Sequence, residues 1–312
     1  MPEAVAAFDC GSNSTRLLVA DSSGGTLARE MNITRLSEGV DASGSLRPDA
    51  MERTFDVLHT YRRDCDGFGV TRGLLVATSA VRDATNGAQF LATAHEICRV
   101  EARVLEGNEE AALSYAGAVG DLEPADAATM IVDIGGGSTE LAVELDGRLI
   151  SYSMQLGCVR VTERALGRGV VTPASEAAAR RMIDEQLDLA FLAQPEFARV
   201  VGCARLVGLA GTVATLAQLD AGLTRYDRAV VHHRVLSRGT VQHWRDILAG
   251  EAPAERLEHP GMVVGREDVL VAGLYVLDAV MERFGTEWLV SSESDILDGI
   301  VTSVVRSLRP LG

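Results

Sequence analysis

Residues 9–19 read DCGSNSTRLLV and residues 133–143 read DIGGGSTELAV; they agree at six of eleven aligned positions: Asp, Gly, Ser, Thr, Leu and Val. Self-similarity of this kind marks a duplicated unit. Each copy follows a short apolar run, Val5 to Phe8 or Met130 to Val132, and precedes a turn signal, Ser22-Ser23-Gly24-Gly25 or Asp146-Gly147. Each therefore reads as strand, glycine-rich turn, strand. The copies lie 124 residues apart, the size of a domain. The expected organisation is two related α/β domains, 1–123 and 124–312, joined at the stretch GDLEPADAA (120–128), with a cleft between them and the last helix returning to the first domain.

Outward from the repeat, the order of elements alternates. Gly73 to Thr78 is a buried-strand candidate, Gly87 to Arg99 is helix-like, and Val100 to Leu105 is a strand. Asn108 to Val119 reads as a helix with Asn108 at its cap and Glu109 and Glu110 in its first turn. Thr172-Pro173 opens an amphipathic helix to about Leu192, residues 205–210 form a strand, and Gly211-Thr212 leads into a helix from Val213 to Leu219. Ser237 caps a helix to Leu248; Arg266 to Phe284 and Asp295 to Leu308 are the last helices. Alternation of this kind predicts mixed sheets flanked by helices.

Composition narrows the function classes. Of 312 residues, 47% are apolar and 23% charged, which excludes a disordered or collagen-like chain. The most apolar stretch, Val269 to Met281, is too short to span a bilayer and is broken by Asp278. The start, Ala4 to Phe8, has no basic residue before it and runs into Asp9, unlike a secretory signal, so a cytoplasmic protein without a membrane partner is expected. Five cysteines, with no C-x-x-C pair, suggest buried thiols. All 29 cationic side chains are arginine against 44 acids, a net charge of −15, which argues against nucleic-acid binding. Local arginine forks and backbone N–H groups can still hold a small polyanion, because distant acids are screened.

A turn rich in glycine lets backbone N–H groups approach a phosphate with no β-carbon in the way. Gly135, Gly136, Gly137, Ser138 and Thr139 fit that role, and Ser12, Asn13, Ser14 and Thr15 after Gly11 add hydroxyl and amide donors. One such turn alone would be an ordinary hairpin; two with the same donors point to one ligand. Asp9 and Asp133 end the preceding strands, with Glu140 opposite Asp133, which suits a hard divalent cation with oxygen ligands; turn-stabilising hydrogen bonds are the alternative. His232-His233 has no partner at metal spacing, and neighbours on a strand point apart, so a loop or strand role is expected.

Eight stretches, FDCGSNSTRLLVAD, ATSAVRDATNG, VLEGNEEAALSYAGA, VDIGGGSTELAV, LGCVRVTE, GLAGTVATLAQL, REDVLVAGLYVL and ESDILDGI, occur in an order that resembles the exopolyphosphatase/guanosine pentaphosphate phosphohydrolase (Ppx/GppA) family of the actin, Hsp70 and sugar-kinase superfamily. The resemblance covers nearly the whole chain and implies two actin-like, ribonuclease H-like domains. It implies a Mg²⁺-dependent hydrolase, with Mn²⁺ as the alternative ion, that removes terminal phosphate from inorganic polyphosphate. On the family pattern Glu110 is the base that activates water, with Glu109 competing. Asp133 and Glu140 match the acidic positions associated with the metal, while Asp9, a metal candidate from its place at the strand end, matches the first phosphate loop. Ser12 to Arg16 and Gly135 to Thr139 would be the phosphate loops; Arg82 and Arg160 are candidate phosphate clamps, and Gly211-Thr212 a further phosphate position. The chain resembles the short two-domain form, which favours short polyphosphate. The rival readings are a guanosine pentaphosphate (pppGpp) 5′-phosphohydrolase and a nucleotide- or polyphosphate-binding sensor without turnover; a sugar kinase fits less well. Oligomeric state stays open, a homodimer included.

Overall fold

Val5–Cys10 (β1) is buried at all six positions, as a strand covered on both faces must be. It pairs antiparallel with Ser14–Ala20 (β2), which pairs with Thr26–Ile33 (β3). On its other side Arg72–Ala77 (β4) and then Glu101–Val104 (β5) run parallel to it, giving a five-stranded sheet of order β3-β2-β1-β4-β5. Alternation along β1 divides the core. Ala4, Ala6, Phe8 and Cys10 pack with Leu58 and Tyr61 of helix Pro48–Gly67 and with Phe90, Ala94 and Cys98 of helix Gly87–Cys98. Val5 and Ala7 pack instead with Ile296, Leu297, Ile300 and Val301 of helix Ile296–Leu308. By the same period of two, Asp9 lies on the face of the final helix.

Thr129–Ile134 (β6), Thr139–Leu145 (β7) and Arg148–Met154 (β8) repeat the antiparallel meander. Arg205–Leu209 (β9), Val235–Ser237 (β10) and Trp288–Ser291 (β11) complete a six-stranded sheet of order β10-β11-β9-β6-β7-β8. With β9 parallel to β6 and β11 parallel to β9, five of its strands reproduce the first sheet, and β10 is an addition. The duplication read from eleven residues therefore extends to strand order and direction.

The computed structural model describes residues 4–308, which form two compact units: one runs to Gly117 and resumes at Asp295, the other is Ala118–Ser294. The division falls at Gly117, not at the expected 123/124, and the helix Ile296–Leu308 belongs to the first unit. The reason is packing. A β-carbon on Gly117 would lie 1.8 Å from the Asp295 carbonyl oxygen, and one on Gly299 2.1 Å from that of Leu113. Helices Gly107–Val119 and Ile296–Leu308 thus meet backbone to backbone, which only glycine allows. The helix Pro48–Gly67 was not anticipated. No helix among the described residues is long and apolar enough to cross a membrane.

Candidate functional site

In the first unit the parallel strands end together: Cys10 is level with Ala77, and Ala77 with Val104. Beyond them come the turn at residues 11–13, the short helix Ser79–Asp83 and the helix Gly107–Val119, so Ser12, Asn13, Arg82 and Glu110 gather at one sheet edge. The carboxyl edge of parallel strands is where open α/β sheets take ligands. The turn is closed by Gly11 N–H donating to the Ser14 carbonyl at 3.0 Å. Its other carbonyls are used internally: Asn13 O accepts from Thr34 and Arg35, and Ser12 O from Ser37. Ser12 Oγ bonds Ser79 Oγ at 3.0 Å, tying the turn to the next element of the edge. Among the described residues no hydrogen bond uses the N–H groups of Ser12 or Asn13. The Asn13 amide is buried with neither its oxygen nor its nitrogen partnered. Burying such a group unsatisfied costs about 1–3 kcal/mol, which a phosphate or water would relieve.

The two glutamates separate cleanly. Glu109 is exposed and accepts from Arg103 Nη1 at 2.6 Å, a bond that lowers its carboxyl pKa. Glu110 is buried, its Oε2 standing 3.6 Å from Arg82 Nη1, while Arg82 also donates to the Leu105 carbonyl at 2.8 Å. The helix starts at Gly107, one residue before the expected Asn108 cap.

Asp9 and Arg16 are direct partners across β1 and β2. Arg16 Nε and Nη2 both bond Asp9 Oδ2, at 2.9 and 2.6 Å, and Arg16 Nη1 bonds Asp295. Asp9 Oδ1 is buried with no partner. Burial pushes the Asp9 pKa up, and the adjacent guanidinium offsets part of that. Arg16, expected on a phosphate, thus lies between two carboxylates. Thr15 differs from expectation too: its hydroxyl is fully buried against Thr34 Oγ1 at 2.9 Å.

The second unit repeats the turn. Gly135 N–H donates to the Ser138 carbonyl at 3.0 Å, as Gly11 does to Ser14. Gly135 O accepts from Cys158 N, and Gly136 O from the N–H groups of Val159 and Arg160, so the short helix Cys158–Val161 braces the turn from outside. Gly157 makes that approach possible, because a β-carbon there would sit 2.3 Å from Gly136 O. The N–H groups of Gly136 and Gly137 enter no hydrogen bond among the described residues. Asp133 and Glu140 are cross-strand partners, 8% and 1% exposed, and Ser153 Oγ donates to Glu140 Oε1 at 2.7 Å. Thr139 is fully buried, its hydroxyl on the Leu156 carbonyl. Arg160 is buried beside the turn.

Gly211 follows β9 at the start of helix Ala210–Ala221, where Ala210 holds a positive φ of 63°. The Arg266 guanidinium fills the place of a side chain at Gly211, and Thr212 is buried against Gly273. The Thr212 side chain therefore serves the core. Arg266 was not anticipated as a site residue, although its segment carries the family resemblance. Within the second unit Asp133 and Glu140, two buried carboxylates side by side, fit a hard divalent cation; within the first, Asp9 Oδ1 is a buried oxygen with no hydrogen-bond partner.

His232 and His233 do have a partner, contrary to the sequence expectation. Asp121 Oδ2 lies 2.9 Å from His232 Nε2 and Asp121 Oδ1 3.6 Å from His233 Nε2, and the two rings stack at 3.8 Å. The pair lies in the turn before β10, not in a strand, and with His233 at a positive φ of 61° both rings come to one side. The three donors are close enough for a metal. However, His232 Nδ1 accepts the Glu293 N–H at 3.0 Å, so its proton sits on Nε2 and is donated to Asp121. That ring has no lone pair left for a metal.

The model of the Ppx/GppA phosphatase family matches residues 18–308. The chain belongs to the Ppx/GppA phosphatase family. It is 39% identical to Exopolyphosphatase 2 of Mycobacterium tuberculosis over 96% of this chain and 98% of that protein. A crystal structure of an exopolyphosphatase-like protein superposes with a TM-score of 0.91 at 32% identity, covering 98% of this chain and all of the other. The Aquifex aeolicus PPX-GPPA enzyme gives a TM-score of 0.77 at 29% identity, over 96% and 99%. Within the family fold, the duplicated turns occupy the same place in two sheets of matching strand order.

Proposed function

We propose that this Ppx/GppA protein is an exopolyphosphatase that releases terminal orthophosphate from inorganic polyphosphate with the help of Mg²⁺. The observation that carries the reading is Glu110, a buried carboxylate 3.6 Å from Arg82 at the edge where Ser12 and Asn13 offer unused N–H groups. The likeness to Exopolyphosphatase 2 along nearly the whole of both chains supports the same substrate class.

In this mechanism the N–H groups of Ser12 and Asn13 bind non-bridging phosphate oxygens, with the Asn13 amide as a further donor; the N–H groups of Gly136 and Gly137 give the second unit a phosphate turn of its own. Arg82, fixed by the Leu105 carbonyl, faces the charge that develops on the transferring group. Glu110 accepts the proton of the attacking water as its oxygen bonds the terminal phosphorus. The bridging P–O bond breaks and its electron pair leaves with the shortened chain. Asp133 and Glu140 would hold Mg²⁺ in the second unit, where it would neutralise charge on phosphate oxygens, and Asp9 is the candidate cation ligand of the first unit. Phosphate release from short polyphosphate, long polyphosphate and pppGpp at fixed Mg²⁺ tests the reading. Release from polyphosphate that disappears in Glu110→Gln is expected; turnover of pppGpp alone would overturn the substrate assignment, and tight binding without turnover would overturn the enzyme.

A further inference from the structure

We infer that Asp295 is a positioning residue: it holds Arg16 open so that Asp9 presents one bare oxygen to a divalent cation. This rests on the reading of Asp9 as a cation ligand. A guanidinium facing a lone carboxylate closes on both oxygens. Here Arg16 places Nε and Nη2 on the same oxygen, Asp9 Oδ2, and its third nitrogen, Nη1, goes to Asp295. Asp9 Oδ1 is left buried and without a hydrogen bond.

Asp295 is itself firmly held. Its Oδ1 accepts the Leu297 N–H at 3.0 Å, and its own N–H donates to Asp298 Oδ2 at 2.8 Å, a reciprocal cap on helix Ile296–Leu308. Arg29 binds both oxygens of Asp298 at 2.6 Å and stands 3.8 Å from Asp295 Oδ1. The series Asp9, Arg16, Asp295, Arg29, Asp298 alternates in sign and ends in a carboxylate at each end. Of the oxygens on these three carboxylates, Asp9 Oδ1 is the one left buried without a hydrogen bond. One bare oxygen suits a small cation that keeps most of its water. Without the Asp295 charge the Arg16 guanidinium is no longer held at Nη1 and can turn, so that two of its nitrogens bond the two Asp9 oxygens and quench Oδ1.

The test is Mn²⁺ binding to the free enzyme, followed by electron paramagnetic resonance without substrate. Asp295→Asn and Asp295→Ser keep a capping oxygen for Leu297 while removing the charge. Both should weaken Mn²⁺ by about 10-fold or more, in the range seen when groups that orient metal ligands are lost. Asp295→Glu should restore part of the affinity. Asp298→Asn, which disturbs the same cap without touching Arg16, should change affinity less than about twofold by the same reasoning. Unchanged affinity in both Asp295 variants overturns the inference, as does an equal loss in Asp298→Asn, which would mark a purely structural role. If Asp9→Asn binds Mn²⁺ as tightly as the unaltered protein, the cation reading of Asp9 falls first; if it binds weakly and the Asp295 variants do not, only the positioning role falls.

Discussion

Replacing Gly157 by alanine tests whether activity depends on the exact seating of the second turn. The backbone of Gly157 is extended, with φ −144° and ψ 166°, so alanine is comfortable there and the substitution acts through space alone. The added β-carbon would lie 2.3 Å from Gly136 O, 2.4 Å from Gly136 C and 2.6 Å from Gly137 N. It would therefore press on the peptide plane that carries the Gly137 N–H. Ordinary contact begins near 3.4 Å, so the turn must retreat by about 1 Å. A displacement of about 1 Å at a positioning element can cost roughly 100-fold in rate, or about 2.7 kcal/mol of transition-state stabilisation. Overpacking of this kind costs about 1–3 kcal/mol of stability, roughly 2–12 °C in Tm for a unit of this size. The assay is kcat/KM for phosphate release, with Tm from calorimetry. Gly169→Ala is the control, because its β-carbon meets nothing within 4 Å. A Gly157→Ala enzyme within threefold of the unaltered protein would refute the claim that this turn positions phosphate.

Glu110→Gln should lower kcat by about 10²–10⁴, the usual worth of a general base, whereas Glu109→Gln, at an exposed ion pair, should stay near the unaltered rate; steady-state phosphate release compares them. The His232 pKa is held below its ordinary value, first by burial and then by Arg228 and His233. A depressed pKa contributes stability that is present above about pH 6.5 and is lost as pH falls through the lower folded value. Urea midpoints should therefore drop more between pH 7.5 and 5.5 for the unaltered protein than for His232→Gln; parallel curves would refute it. Ellman's reagent should find one fast thiol, exposed Cys203, and five after unfolding. Burial raises the thiols of Cys65 and Cys98 to about 12 and that of Cys158 to about 11, and it raises Cys10 as well.

The turns and their strands were legible because an apolar run ending in Asp-x-Gly leaves few alternatives, and the repeat fixed the register twice. The threonines misled. Thr15 and Thr139 were assigned to the phosphate loops, yet Thr15 shares a face with Leu17 and Val19, and Thr139 with Leu141 and Val143, all core residues. The period of two already contained that information. Helix Pro48–Gly67 was hidden by its charged surface, although its buried residues Ala50, Thr54, Leu58, Tyr61 and Cys65 recur at helical spacing behind a proline at the first turn. The pairing of Arg16 with Asp295 spans 279 residues, beyond the reach of any local pattern. Strand alternation does not apply at His232-His233, which lie in the turn between helix Arg228–Val231 and β10, with His233 left-handed.

The two copies have diverged at one position that sets their electrostatics. Arg16 and Glu140 occupy the same place in the repeat, each opposite the aspartate that ends the central strand. In the first unit the arginine takes one oxygen of Asp9 and leaves the other; in the second, the glutamate adds a carboxylate to Asp133. Two buried carboxylates side by side are an oxygen pair suited to a hard cation, so on the proposed reading the Mg²⁺ dependence is expected to rest on the second unit. The turns differ in the same sense: three glycines there offer backbone alone, whereas Ser12, Asn13 and the neighbouring Arg82 and Glu110 bring side chains. On the proposed reading the first unit supplies the proton acceptor and the second the carboxylates for the cation. This division makes a prediction of its own. Glu140→Gln should raise the Mg²⁺ concentration needed for half-maximal activity while saturating Mg²⁺ recovers most of kcat, and Glu110→Gln should lose kcat at every Mg²⁺ concentration. A Mg²⁺ titration in which Glu110→Gln is rescued and Glu140→Gln is not would reverse the roles argued for the two units.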